Sequence, residues 1–143
     1  MKYNSNSQQI MQRKLVVDHN LLATMFTNPI VLIPATSNIQ KIPVAFSFYF
    51  PSWTNSFPTP WSVGSDQLIL FPQTMAMVSL NISEVTAAGQ LIISLPTPES
   101  AGSYIQNGKG TNGNIILQSQ TDDAAYKNMG DVHVTIYYLE QSV

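Results

Sequence analysis

The chain has 143 residues, room for one domain of ordinary size, with six Lys plus Arg against eight Asp plus Glu and a formal charge of −2. Only 10% of the residues are charged, while Asn, Gln, Ser and Thr make up about a third, so solubility rests on uncharged polar groups. This balance argues against nucleic acid and against a polybasic membrane contact, and the lack of cysteine excludes disulfides, thiolate catalysis and Cys-ligated zinc.

The first 13 residues, Met1 to Arg13, are polar and without pattern, and read as an arm ahead of one domain spanning 14–143. No apolar stretch follows the charge at Lys2, so a secretory signal peptide is not expected, and no apolar run is long enough for a membrane helix. Short extended pieces follow. Leu15 to Val17 and Leu21 to Phe26 flank Asp18-His19-Asn20, and Ile30 to Ile33 lies between Pro29 and Pro34. From Pro43 to Phe50 the alternation is clear: Val44, Phe46, Phe48 and Phe50 share one face, Ala45, Ser47 and Tyr49 the other. Gln67 to Phe71, Met75 to Ile82, Leu91 to Leu95 and Asn114 to Gln118 are further strand candidates. Asp131 to Leu139 alternates again, with apolar residues on both faces. A short helix fits Asp122 to Lys127.

Long loops are expected at 51–66, 96–113 and 121–130. No connection reads as a crossover helix, so a parallel βαβ sheet is not expected. The rhythm predicts an all-β fold: a single antiparallel β-sandwich, jelly-roll-like, of about eight strands. Its expected core comprises Val31, Ile33, Val44, Phe46, Phe48, Leu70, Val78, Leu80, Ile93, Ile116, Val134 and Ile136.

The motifs that carry chemistry are weak. Gly108-Lys109-Gly110-Thr111-Asn112-Gly113 matches G-x-G-x-x-G, but a strand-like run follows where a dinucleotide site needs a helix, so it reads as a turn. Asp18-His19 and Asp131-x-His133, with Asp122 and Asp123, form a conceivable metal set, yet the spacing matches no ligand pattern. Adjacent residues on a strand would also point to opposite faces. There is no G-x-S-x-G elbow, no Ser-x-x-Lys signature and no identifiable carboxylate pair, so no enzyme activity and no cofactor are expected. Asn81-Ile82-Ser83 is a chance sequon. The loop carrying Trp53, Phe57, Pro58, Pro60 and Trp61 admits three readings: a cap over one end of the sandwich, an interface anchor, or a platform for sugar rings.

Three segments are familiar together: Asn28-Pro29-Ile30-Val31-Leu32-Ile33-Pro34-Ala35, Asn114-Ile115-Ile116-Leu117 and Gly130-Asp131-Val132-His133-Val134-Thr135-Ile136-Tyr137-Tyr138. Spanning residues 28 to 138, they resemble small β-sandwich virion proteins of tailed bacteriophages, of the capsid-decoration and head-fibre type. Thr36 to Lys41 departs from the glycine-rich turn usual after the first segment. The resemblance implies a non-enzymatic homotrimer that decorates or cements the capsid, with the major capsid protein or another virion protein as partner. It implies location in the virion after assembly in the host cytoplasm. A receptor- or carbohydrate-binding tip of a head fibre or tail is the alternative. The candidate contact residues are Lys2, Arg13 and Lys14, half of the chain's cations and suited to an acidic capsid surface, together with Trp53, Phe57 and Trp61 between subunits.

Overall fold

Proline and glycine interrupt the chain too often for long helices, and the apolar residues between them recur at period two, so extended strands bury most of what can be buried. The computed structural model describes residues 9–52, 61–65, 78–80, 88–95, 113–119 and 124–142. These hold eight strands: β1 (Met11–Val17), β2 (Ile30–Ile33), β3 (Ile39–Phe50), β4 (Trp61–Ser65), β5 (Val78–Leu80), β6 (Gln90–Ser94), β7 (Ile115–Ser119) and β8 (Val132–Ser142). One helical turn, α1 (His19–Leu22), follows β1, and a 3-10 helix (Ala124–Met129) precedes β8. The fold is all-β, as the alternation predicts.

The strands form two antiparallel four-stranded sheets, ordered β1-β8-β3-β6 and β2-β7-β4-β5. Strand pairing runs from the outside of the sequence inward: β1 with β8, β2 with β7, β3 with β6, β4 with β5. The chain is thus one long hairpin folded over so that successive pairs fall in alternate sheets. The inner faces meet in one core of Val17, Leu32, Ile33, Phe46, Phe48, Phe50, Ile115, Leu117, Val132, Val134 and Ile136, closed by Leu22, Met25, Tyr126 and Met129. Each buried Phe or Ile contributes roughly 1.5–3 kcal/mol through removal from water. Phe46 and Phe48, two residues apart on one face, stack with centroids 6.5 Å apart.

Several expectations need correction. Leu21 to Phe26 is not a strand: Asp18 caps α1, accepting a hydrogen bond from the Asn20 N–H, and turns follow. Residues 11–13, expected ahead of the domain, belong to β1. Met11, Gln12 and Arg13 pair with Tyr138, Tyr137 and Ile136, because the end of β8 offers them an open edge. β4 lies within the expected 51–66 loop.

Three expected core residues are exposed: Val31 at 43%, Val44 at 37% and Ile93 at 67%. Val44 is the extra residue of a bulge, since Pro43 faces Tyr138 and Ala45 faces Tyr137. A proline, lacking an N–H, is tolerated beside such a bulge. The extra residue also inverts the alternation upstream, so Lys41, only 2% exposed, takes an inward position. In β2 the register shifts between Val31 and Ile33, which buries the adjacent Leu32 and Ile33 and leaves Val31 outside. In β6, Ile92 packs on the core and Ile93 faces away. Ile33, Phe46, Phe48, Val134 and Ile136 are in the core as expected, and Ile116 is buried outside that cluster, on the other face of β7. Leu70 and the candidate strand Gln67 to Phe71 lie outside the described residues.

Candidate functional site

Two regions carry groups that a partner or ligand could use. The first is the outer face of the β1-β8-β3-β6 sheet. Register places Val16, His133, Tyr49 and Leu91 in one row across it, and Lys14, Thr135, Ser47 and Ile93 in the next. The Tyr49 and His133 rings meet edge to face at 5.7 Å. The row ends at β6, an edge strand whose outward side chains are all large and apolar. Leu91 is 55% exposed, Ile93 67%, and Leu95 just beyond the strand 64%. Isolated exposed apolar residues are ordinary; three in succession on one edge, beside a half-exposed Tyr49, form a patch. The segment from Ala88 to Leu95 contains no charged residue and no proline.

The second region joins α1 to the start of β8. Asp131 Oδ1 accepts the backbone N–H of His19 at 2.9 Å and lies 2.8 Å from His19 Nδ1. Asp18 Oδ1, 3.9 Å from His19 Nδ1, accepts the Asn20 N–H at 2.7 Å. The side-chain hydrogen bond from His19, then the backbone one, hold the Asp131 carboxyl below its ordinary range, with smaller help from the charges of His19 and His133. As adjacent residues in extended chain, Asp18 and His19 would point to opposite sides; the helical turn instead brings their ligand atoms and that of Asp131 within 4.8 Å of one another. These three could touch a cation. In this structure His19 Nδ1 and Asp131 Oδ1 are already joined in the hydrogen bond that ties α1 to the start of β8, while Asp18 Oδ1 caps α1 locally, and a metal on Nδ1 would have to displace the Asp131 contact. The geometry is that of a tether.

The sequence-predicted contact residues are not gathered in one place. Arg13 and Lys14 are exposed neighbours on β1, and their side chains leave opposite faces of the strand. Trp61 opens β4 in the other sheet, between Leu80 and Ser119. Lys2, Trp53 and Phe57 lie outside the described residues, as do Asp122, Asp123 and all but Gly113 of the glycine-rich run. Gly113 leads within two residues into β7, not into a helix, so that run lacks the setting of a phosphate site. An open cleft at the start of β1 is lined by Gln9, Ile10, Met11, Gln12 and Glu140. Among the described residues no helix is long and apolar enough to cross a membrane.

Of the three segments that carry the resemblance, the first two pair with each other and the third lies in the other sheet. The first contains β2 and pairs with β7 in the second, where Asn114 Oδ1 accepts the Ala35 N–H at 2.7 Å. The third opens β8, the strand between β1 and β3. No protein-family model matches the chain, and no curated protein matches it.

Proposed function

We propose that the chain is a non-enzymatic structural subunit of a bacteriophage particle, a homotrimer that decorates or cements the capsid. The observation that carries this reading is the connectivity: strands paired from the ends of the sequence inward make a rolled hairpin, which we read as a jelly roll, an architecture shared by viral capsid and lectin domains. The exposed apolar edge at Leu91, Ile93 and Leu95 supports a life in contact with other protein, because a lone subunit leaves it in water. The three phage-like segments add the source of the partner.

The polar arm is the proposed attachment element, through Lys2 and the cations at Arg13 and Lys14. Because β1 begins at Met11, its role is tested by removing residues 1–8, which leaves β1 whole, rather than 1–13, which cuts three cross-strand pairs. The test is co-sedimentation of the purified protein with undecorated heads of the phage that encodes it. Full-length protein is expected to pellet with heads and raise their resistance to heat. The truncated protein is expected to fold, to keep its oligomeric state and to pellet less, with a weaker dependence on salt. Failure of the full-length protein to bind heads, with binding to cells or glycans instead, would replace this reading with that of a receptor-binding tip.

A further inference from the structure

We infer that β6 is a self-pairing edge, at which a second copy of this chain docks antiparallel about a two-fold axis passing beside Ile93. The inference goes beyond the function proposed above and does not depend on it.

Three observations carry it. The first is position: β6 ends its sheet, hydrogen-bonded to β3 on one side, and no described strand lies on the other. A free edge presents unpaired N–H and C=O groups to any extended chain, and proteins commonly block such edges with lysine, proline or a bulge. None of these occurs from Ala88 to Leu95, and the β3–β6 register runs without a break from Phe46↔Ser94 to Phe50↔Gln90. The second is anchorage: Ile92 packs against the core, which holds the strand in place and directs Leu91, Ile93 and Leu95 outward.

The third observation selects the occupant. Read along the outer face, the side chains are Leu91, Ile93, Leu95, the same in both directions. An isologous contact requires a surface that is its own complement, each residue meeting its counterpart under the two-fold. Antiparallel pairing centred on Ile93 sets Ile93 opposite its copy and Leu91 opposite Leu95 of the other copy, all apolar and without like charges to repel. The four-stranded sheets of two molecules then become one continuous sheet.

The absence of native cysteine makes the test clean. Two variants are made separately, Leu91→Cys and Leu95→Cys. In the inferred register these positions face one another between copies at about 4.5–5.5 Å, within disulfide reach. Residue 91 lies about 13 Å along the strand from its own counterpart, too far to bridge. Oxidation is expected to cross-link the two variants when they are co-refolded or exchanged under reducing conditions, and neither alone. The wild-type protein is expected to have an even number of 15.8 kDa chains in solution, a hexamer where the proposed homotrimers pair through β6. Ile93→Lys is expected to halve that number, with an unchanged far-UV circular dichroism spectrum.

Self-cross-linking of Leu91→Cys alone would overturn the pairing in favour of copies meeting in parallel. So would no cross-link in the mixture, or an assembly whose size Ile93→Lys does not change. A wild-type trimer would overturn the two-fold contact and leave the homotrimer reading intact. A hexamer that falls to a trimer on Ile93→Lys supports both, and a wild-type monomer removes both.

Discussion

His19 and Asp131, 112 residues apart in sequence, are joined at one carboxylate oxygen, which lies 2.9 Å from the His19 backbone nitrogen and 2.8 Å from its Nδ1. The pair ties the turn after β1 to the start of β8, two strands that also lie side by side. It closes the end of the sandwich where Leu22, Met25, Tyr126 and Met129 cover the core.

This tether makes stability depend on acid. The Asp131 carboxyl is held below its ordinary range by the hydrogen bonds from His19, so the folded state binds its proton less readily than the unfolded state does. Its stabilising contribution is therefore present above the unfolded value near pH 4 and is lost as pH falls through the lower folded value. Asp131→Asn is expected to lower the melting temperature at pH 7 and to flatten its fall below about pH 4. An unchanged acid limb in the variant, measured by thermal melts from pH 7 to pH 2, would show that other carboxylates govern it.

Two glycines with positive φ separate backbone strain from crowding. Gly89, at φ +83°, has nothing among the described residues within 4 Å of where a Cβ would sit, whereas a Cβ on Gly130, at φ +76°, would meet Ser52 Cβ at 2.8 Å. Gly89→Ala is expected to cost about 1–2 kcal/mol from the left-handed conformation alone. Gly130→Ala is expected to cost more, since Ser52 must also move. Urea denaturation of both variants checks the order.

The two isoleucines in the middle of β6 should respond differently. Ile92 packs against the core, while Ile93 is 67% exposed. Ile92→Ala is expected to destabilise the fold by about 2 kcal/mol or more, and Ile93→Ala by less than about 1 kcal/mol in the isolated chain. Equal losses would place the alternation of β6 out by one residue.

Lys41 is 2% exposed, and among the described residues the hydrogen bond of its ammonium goes to Thr36 Oγ1 at 3.0 Å. One neutral hydroxyl compensates a buried charge poorly. Lys41→Met, which keeps the stem and removes the charge, is expected to leave stability unchanged or raise it by about 1–4 kcal/mol. A clear loss in chemical denaturation would mean that the ammonium does more for the fold than bond Thr36.

Much of the architecture was legible in the residues. The alternation of Phe46, Phe48 and Phe50 and of Val132, Val134 and Ile136 identifies two central strands and the faces they bury. Ile30 to Ile33, bounded by prolines, is β2 without adjustment. The short helix expected around Asp122 to Lys127 is present as the 3-10 helix Ala124–Met129. The His19 tether was not legible, because Asp18-His19-Asn20 reads as a break between strands and nothing local points to Asp131. Nor was the β6 edge: with apolar residues at both 92 and 93, periodicity alone does not say which faces in.

Fold class, the lack of thiol chemistry and the low charge were determined by the amino-acid sequence alone, because side-chain period, turn residues and composition act over a few neighbouring positions. Only the tertiary structure decided which strands pair, that Val44 is extruded by a bulge and Lys41 turned inward, and that Leu91, Ile93 and Leu95 are left exposed on the last of the described strands in its sheet. Those outcomes depend on register between segments as far apart as β3 and β8. Inserting one residue in a single strand exchanges its buried and exposed faces without altering the local pattern.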